Sequence, residues 1–366
     1  MAVLSEEQTM LRDMAREWTQ NESPLGNFRK MRDAAHPTGY DPAVYATMAE
    51  MGWTGIVVPE AHGGTDFGWL SLGLVIEETA KTLTASPIAS SALAASAVVL
   101  GGDAAARDRW LPGLAAGELT GALALDEGPR HAPEAIATTA RAEGEGWVLD
   151  GTKAFVHDAQ GAALLIVAAR ADDGIALFAV PADAPGVSLA ARQLTDSRGH
   201  AALTLAGVRL DGSARLGGEK EYHALLDRAR ALTCAEMLGM ADHAFQITLA
   251  YLKQRVQFGE IIARFQALQH RMADLFSRIE LMRSAVEGAL AALDTGADVA
   301  ATVAVAKATA NETLHLVSRE VIQLHGGIGM TDEYDIGFYI KRARVLENAW
   351  GSAAFHRDRF ATLSGY

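Results

Sequence analysis

Two stretches of the chain place chemically capable side chains where they stand out. In Gln323-Leu324-His325-Gly326-Gly327-Ile328-Gly329-Met330, the paired glycines let a backbone approach a phosphate or ribose without interference from Cβ, and Gln323 can donate an amide hydrogen bond there. The same residues could also be no more than a tight connection between two helices. They do not complete the GxGxxG fingerprint, because Asp332 stands where the last glycine belongs, which argues against a Rossmann site. The second stretch is ALTCAEMLGMA, Ala231 to Ala241, whose only carboxylate is Glu236. An isolated carboxylate among apolar neighbours has a raised pKa, which suits a general base. The alternative is a glutamate paired with a basic group elsewhere in the same bundle. Cys234 is the single cysteine, so an intrachain disulfide and a Cys-based zinc cluster are excluded, and no residues are assigned to a metal.

These residues need elements to position them. Ser5-Glu6-Glu7-Gln8 is a capping-box pattern ahead of Met10, Leu11 and Met14 at helical spacing, so the chain is expected to open with a helix. Helical patterns also run over Pro42 to Met51, Trp69 to Lys81 and Ala104 to Leu114. Between Trp147 and Leu210 the texture changes to short apolar runs separated by DG, QG, DDG and PG turns, which predicts a block of strands. The runs Ala163 to Ala168 and Ile175 to Val180 are nearly continuous, as expected for strands buried on both faces. Long helical periodicity returns over Ala229 to Lys253, Phe265 to Leu293 and Val299 to Leu324, lengths that suit bundle helices with subunit contacts. The expected division is therefore an N-terminal α-helical domain over 1–118, a central β domain over 119–218 and a C-terminal helical bundle over 219–366.

Composition narrows the partners. The 366 residues are 49% hydrophobic and 21% charged, which fits a globular chain with a large core. With 32 basic against 45 acidic residues the net charge is −13, repelling phosphate backbones and anionic lipid surfaces, so neither nucleic acid nor membrane is an expected partner. No signal-peptide order and no long uncharged apolar run occurs in the sequence, and the expected location is cytoplasmic.

Three segments sharpen this order of helices, strands and bundle: Arg255-Val256-Gln257-Phe258-Gly259 followed by Phe265-Gln266-Ala267-Leu268-Gln269-His270, the Gln323 to Met330 turn, and Val57-Val58-Pro59-Glu60 followed by Gly63-Gly64. Together, and over nearly the whole chain, they resemble the acyl-CoA dehydrogenase family. The resemblance implies an α+β fold in which an α-helical domain, a β-barrel-like domain and a four-helix domain hold FAD and an acyl-CoA thioester. It implies a bidentate role for Arg255 on the FAD pyrophosphate of a neighbouring subunit, with Phe258 on the adenosine half and Gln266, Gln323, Gly326, Gly327 and Ser352 completing the cofactor site. Backbone groups of Leu125, Asp126 and Glu127 would meet the flavin pyrimidine edge. Phe155 would lie over the ring unless it is simply core, and His157, unless it is a surface or strand-end histidine, would replace a common flavin-bonding threonine. Asp227 and Arg230 match the pair that meets the CoA chain and the helix end, unless they form an ordinary surface ion pair.

The resemblance breaks at the base. The family places tyrosine-glutamate-glycine-threonine where this chain has Ala349-Trp350-Gly351-Ser352, and an indole cannot take the thioester α-proton. A second subgroup carries its glutamate on a helix, at the position of Ala229. Glu236 lies seven residues beyond Ala229, on the same helix face and about 10 Å further along, and is the candidate replacement. The loop after Glu127, Gly128-Pro129-Arg130-His131-Ala132-Pro133, also lacks the family's flexible glycines and serine. Expected partners are an acyl-CoA substrate, an electron acceptor such as an electron-transfer flavoprotein, and either a homotetramer or a heterotetramer with a second acyl-CoA dehydrogenase-like chain. Three readings remain: a dehydrogenase working alone or in a pair, a non-catalytic FAD-holding subunit of an α2β2 assembly, and a flavin monooxygenase or oxidase of the same superfamily.

Overall fold

The structure is a computed structural model that describes residues 3–366. Its first half begins with helices α1 (Glu6–Glu22), α2 (Leu25–Asp33), α3 (Pro42–Glu50), α4 (Trp69–Lys81), α5 (Ile88–Gly101) and α6 (Ala104–Ala115). The capping box forms as its pattern predicts: Gln8 N donates to Ser5 Oγ and Ser5 N to Gln8 Oε1, both at 3.1 Å. Asp41 and Asp103 cap α3 and α6 through Ala43 N and Ala106 N at 2.9 and 2.8 Å, satisfying backbone donors that a helix start leaves unpaired. Helix α5 has no amphipathic signature because it is buried without interruption from Ser90 to Val98. A helix enclosed on all sides keeps no polar face for periodicity to reveal.

The strands follow: β1 (Gly121–Ala124), β2 (Thr139–Glu143), β3 (Gly146–His157), β4 (Leu164–Ala171), β5 (Gly174–Pro181), β6 (Val187–Gln193) and β7 (Gly199–Leu210). They make one curled seven-stranded sheet in the order β1-β4-β2-β3-β7-β6, with β5 on β4. Strand β1 runs parallel to β4, while β3 and β7 pair antiparallel over nearly their full length. Leu165, Val167, Phe178, Val180, Leu149, Leu203 and Val208 are at 0% exposure and build the sheet's core, so the apolar runs in β4 and β5 are buried on both faces. The β3–β7 register slips between Lys153 and Val156. That bulge sets Phe155 at φ 53° and turns it out of the sheet face.

The remaining elements are α7 (Glu219–Gln254), the short hairpin β8 (Val256–Gln257) and β9 (Glu260–Ile261), α8 (Gln266–Thr295), α9 (Val299–His325), α10 (Ile336–Leu346) and α11 (Ala353–Leu363). Helix α9 packs on α8, α10 and α11. The chain forms two compact units, one gathering the chain through Phe28, Gly73–Thr84 and Arg230–Tyr366, the other Arg29–Leu72 and Ala85–Ala229. Among the described residues, no helix is long and apolar enough to cross a membrane.

Candidate active site

In the sheet-bearing unit, the segment after β1 is fixed by a buried lysine. Lys153 Nζ, on a side chain with 0% exposure, donates to the Leu125 carbonyl at 3.1 Å and to Glu127 Oε1 at 2.7 Å. The Glu127 carboxylate also accepts from Ala137 N and Thr138 N at 2.7 and 2.8 Å. Burial opposes charge on Glu127, but the Lys153 ammonium and these donors outweigh it and hold the carboxyl at about 2. Burial pulls Lys153 below its usual value, against the pull of Glu127. Asp126 is engaged as well, its carbonyl accepting from Ala154 N at 2.9 Å and its carboxylate meeting His131 Nδ1 at 2.8 Å. The side chains of Asp126 and Glu127 thus brace the loop while Leu125 stays in the core.

Phe155 is 42% exposed, so it is not a core residue. An aromatic residue in left-handed backbone is a costly conformation that surrounding structure must maintain. His157, half-buried at the end of β3, is held by the buried His200, with His157 Nδ1 3.0 Å from His200 Nε2. His200 Nδ1 lies 3.1 Å from the Arg198 carbonyl, which can only accept. His200 Nδ1 therefore donates to that carbonyl, and its Nε2 shares a proton with His157 Nδ1, which fixes the orientation of the His157 ring.

In the bundle-bearing unit, the loop that carries Trp350 is held by its carbonyls. Arg230 Nε and His356 Nε2 donate to the Trp350 carbonyl at 3.3 and 2.9 Å. Asn311 Nδ2 donates to Gly351 O at 3.1 Å, and Lys307 Nζ to Leu346 O at 3.1 Å and Asn311 Oδ1 at 2.7 Å. Burial pushes Lys307 down to about 8. Burial, together with the Arg230 and Lys307 charges, pushes His356 down to about 2, so its imidazole is neutral near pH 7. Trp350 is 8% exposed at φ 58°. Ser352 is the N-cap of α11, accepting from Phe355 N at 3.3 Å.

Glu236 is not the isolated carboxylate that its apolar neighbours suggest. Arg342 on α10 binds it through two hydrogen bonds, Nε to Oε1 at 2.9 Å and Nη2 to Oε2 at 3.0 Å. The alternative reading of an intrabundle pair is the one the geometry bears out. Asp227 and Arg230 are 5% and 1% exposed, so a surface ion pair is excluded for them.

The remaining sites are exposed. Arg255, Gln266, Gln323, Gly326 and Gly327 all lie at the surface. Phe258, 91% exposed, and Gly259 form the tip of the β8–β9 hairpin with φ 55° and 79°, the positive values that a tight hairpin turn requires. A Cβ added at Gly326 or Gly327 would meet no atom within 4 Å, so space beside this turn is open. The turn also joins α9 to α10, so it serves as the helix connection too.

Sequence reasoning missed Lys153, Lys307, Asn311, His200, His356 and Arg342. One signal was present for Lys307: it interrupts the apolar run VAVAKATA from Val303 to Ala310, where a lysine on a core face needs acceptors.

The exposed arginine hairpin and the open glycine turn leave polar groups and space for a ligand. The chain matches the acyl-CoA dehydrogenase N-terminal domain over residues 5–118, the middle domain over 126–213 and the C-terminal domain over 220–363. It is 30% identical to the probable acyl-CoA dehydrogenase YngJ of Bacillus subtilis, covering 97% of each chain. It is also 30% identical to acyl-CoA dehydrogenase FadE12 of Mycobacterium tuberculosis, over 94% of this chain and 92% of that one. Among solved structures it resembles a Tcur3481-Tcur3483 steroid ACAD variant at 34% identity and TM-score 0.92, covering 98% of each chain. It also resembles the ChsE4-ChsE5 complex from Mycobacterium tuberculosis at 25% identity and TM-score 0.93, covering 100% of each chain. The chain belongs to the acyl-CoA dehydrogenase family, whose members are FAD-dependent oxidoreductases.

Proposed function

We propose that this chain is one subunit of a two-chain acyl-CoA dehydrogenase of the cytoplasm, acting on a bulky acyl-CoA thioester such as a steroid side chain, with the proton-abstracting carboxylate supplied by the other chain. The observation that carries this reading is the Trp350 loop. Its carbonyls are held by Arg230, His356, Asn311 and Lys307, yet the residue it presents cannot accept a proton. Glu236, the other candidate, is committed to Arg342. Likeness to the Tcur3481-Tcur3483 steroid ACAD and the ChsE4-ChsE5 complex, whose names each join two proteins, supports the paired form and the steroid class.

FAD fits the residues present. The open face at Gly326 and Gly327, with exposed Gln323 beside it, suits a phosphate or ribose, and exposed Arg255 supplies the cation that a pyrophosphate needs. Phe258 offers an apolar face for the adenosine half, Gln266 follows it at the start of α8, and Ser352 stands beside the Trp350 loop. Phe155, His157 and the braced segment Leu125 to Glu127 would meet the flavin ring. Bound FAD supplies the hydride acceptor for α,β-desaturation, and an electron-transfer flavoprotein is the proposed next acceptor. Asp227 and Arg230 would position the CoA chain and the Trp350 loop. The exposed Arg255 hairpin supports completion of the cofactor site by a neighbouring chain, and the indole at position 350 favours a heterotetramer over a homotetramer.

The test is anaerobic flavin reduction by a steroid-type acyl-CoA, measured for the isolated chain, for the chain assembled with a glutamate-bearing relative, and for Glu236→Gln in both settings. The expected result is reduction only in the assembly and no effect of Glu236→Gln. Reduction by the isolated chain that Glu236→Gln lowers by about 10²- to 10⁴-fold, the range for loss of a general base, would make Glu236 the base and sink the paired reading.

A further inference from the structure

The segment from Gly128 to Thr138, glycine-poor where the family is flexible, is a tied strap in the sheet-bearing unit. The buried Tyr222 hydroxyl donates to the Pro133 carbonyl at 3.0 Å. Arg170 on β4 donates through Nη2 to the Glu134 carbonyl at 3.0 Å and through Nε to the Ile136 carbonyl at 3.1 Å. Glu127 caps Ala137 N and Thr138 N. The backbone on both sides of Glu134 is thereby fixed, and one anchor, Tyr222, is the residue next to His223.

Opposite Glu134, α7 presents Glu219 and His223, four residues apart and so on one helix face. His223 Nε2 lies 3.7 Å from Glu134 Oε1 and 3.7 Å from Glu219 Oε1, and ligand atoms of the three residues lie within 4.8 Å of one another. We propose that Glu134, Glu219 and His223 form a site for a divalent transition-metal ion, with Zn2+ as its best fit, that staples the strap to the start of α7.

The dimensions suit that ion. Bonds of roughly 2.0–2.2 Å in a tetrahedral shell place ligand atoms roughly 3.3–3.6 Å apart, so contraction by a few tenths of an ångström closes the two His–Glu edges, and rotation of the exposed glutamate side chains closes the Glu134–Glu219 edge from within 4.8 Å. Two carboxylates balance the dication, and the imidazole nitrogen selects Zn2+, Co2+ or Ni2+ over the hard oxygen-seeking Mg2+ and Ca2+. The three side chains are 67%, 60% and 40% exposed for Glu134, Glu219 and His223, which leaves an entry path and room for water as a fourth ligand. Arg170 on the Glu134 carbonyl and Tyr222 on the Pro133 carbonyl fix the backbone that carries the Glu134 side chain before an ion arrives. None of the three ligands is a residue assigned to flavin or thioester above, and the site does not rest on that assignment.

The experiment uses the chelator-stripped full chain, titrated with Zn2+ by calorimetry and with Co2+ by visible absorption. One ion per chain is expected, with a rise in the thermal midpoint on Zn2+ addition. His223→Ala and Glu134→Gln change exposed side chains, so the fold is retained, and each is expected to lower affinity by more than roughly 100-fold, beyond the cost of losing an outer-shell partner. Tyr222→Phe keeps every ligand and is expected to lower affinity about tenfold. Absence of binding by the wild type, or Zn2+ binding that survives undiminished in His223→Ala and Glu134→Gln, overturns the site. Unchanged affinity in Tyr222→Phe overturns the strap's part in it.

Discussion

The loop from Leu346 to Ser352 and the hairpin from Arg255 to Ile261 are opposites. The loop is held from inside: Lys307, Asn311, Arg230 and His356 each donate to one of its carbonyls, and Trp350 is 8% exposed. The hairpin has two-residue strands and a 91% exposed phenylalanine at its tip. Its only ring contact among the described residues is Phe265, 6.1 Å away. One region is a buried, well-anchored loop that presents an indole; the other displays groups suited to a ligand but has little intrachain support. Anchors that act on backbone atoms hold the loop whatever side chain stands at position 350. A hairpin with little cover of its own suits the proposed role beside a neighbouring chain.

The largest expected effect breaks this contrast at the loop. Lys307→Ala leaves the Leu346 carbonyl and Asn311 without their donor and opens a cavity, and should cost about 2–5 kcal/mol, read by urea unfolding. Arg255→Ala should leave that stability within about 0.5 kcal/mol but weaken FAD uptake by about 1.5–3 kcal/mol, read by fluorescence titration of the assembly. A loss of fold stability in Arg255→Ala, or none in Lys307→Ala, would erase the distinction between the two regions.

Gly351→Ala sharpens it. Gly351 has φ 111°, and a Cβ there would lie 2.6 Å from Phe355 Cδ1 and 2.7 Å from His356 Nε2, so the expected cost is about 1–3 kcal/mol. Gly259→Ala at the hairpin meets no neighbour at its Cβ, though its φ of 79° is also positive, and unfolding curves of the two variants should separate steric from backbone cost. The smallest effect is a pH dependence. Burial pushes Lys307 down to about 8 from the ordinary lysine value of 10.5, so above pH 8 the unfolded chain holds a proton that the folded chain releases. Its contribution to stability therefore rises with pH between about 8 and 10.5 and is most unfavourable below pH 8. Unfolding midpoints measured at pH 8 and pH 10 should show this rise, and Lys307→Met should flatten it.

Much of the architecture was legible before any coordinates. The Ser5 capping box, the apolar runs of β4 and β5, and the long periods of α7, α8 and α9 all appear where the residues imply them. Helix α5 was not assigned individually, because complete burial erases its periodicity. At the site the legible parts were those whose chemistry is local: paired glycines, a displayed arginine, a tryptophan where a carboxylate was expected. Glu236 was legible as a carboxylate among apolar neighbours, but its meaning was not.

By itself the sequence determined the order of helices, sheet and bundle, the family resemblance, and the absence of a carboxylate at position 350. These follow from side-chain period and residue identity, which need no distant partner. Tertiary structure alone decided that Glu236 is paired, that Lys153 and Lys307 are buried braces, and that Glu134 stands beside His223. Each depends on residues dozens to more than a hundred positions apart meeting within hydrogen-bonding or ion-pairing distance. In a low-dielectric interior a charge's protonation and role are set by the nearest opposite charge or acceptor in space, and that neighbour is chosen by packing.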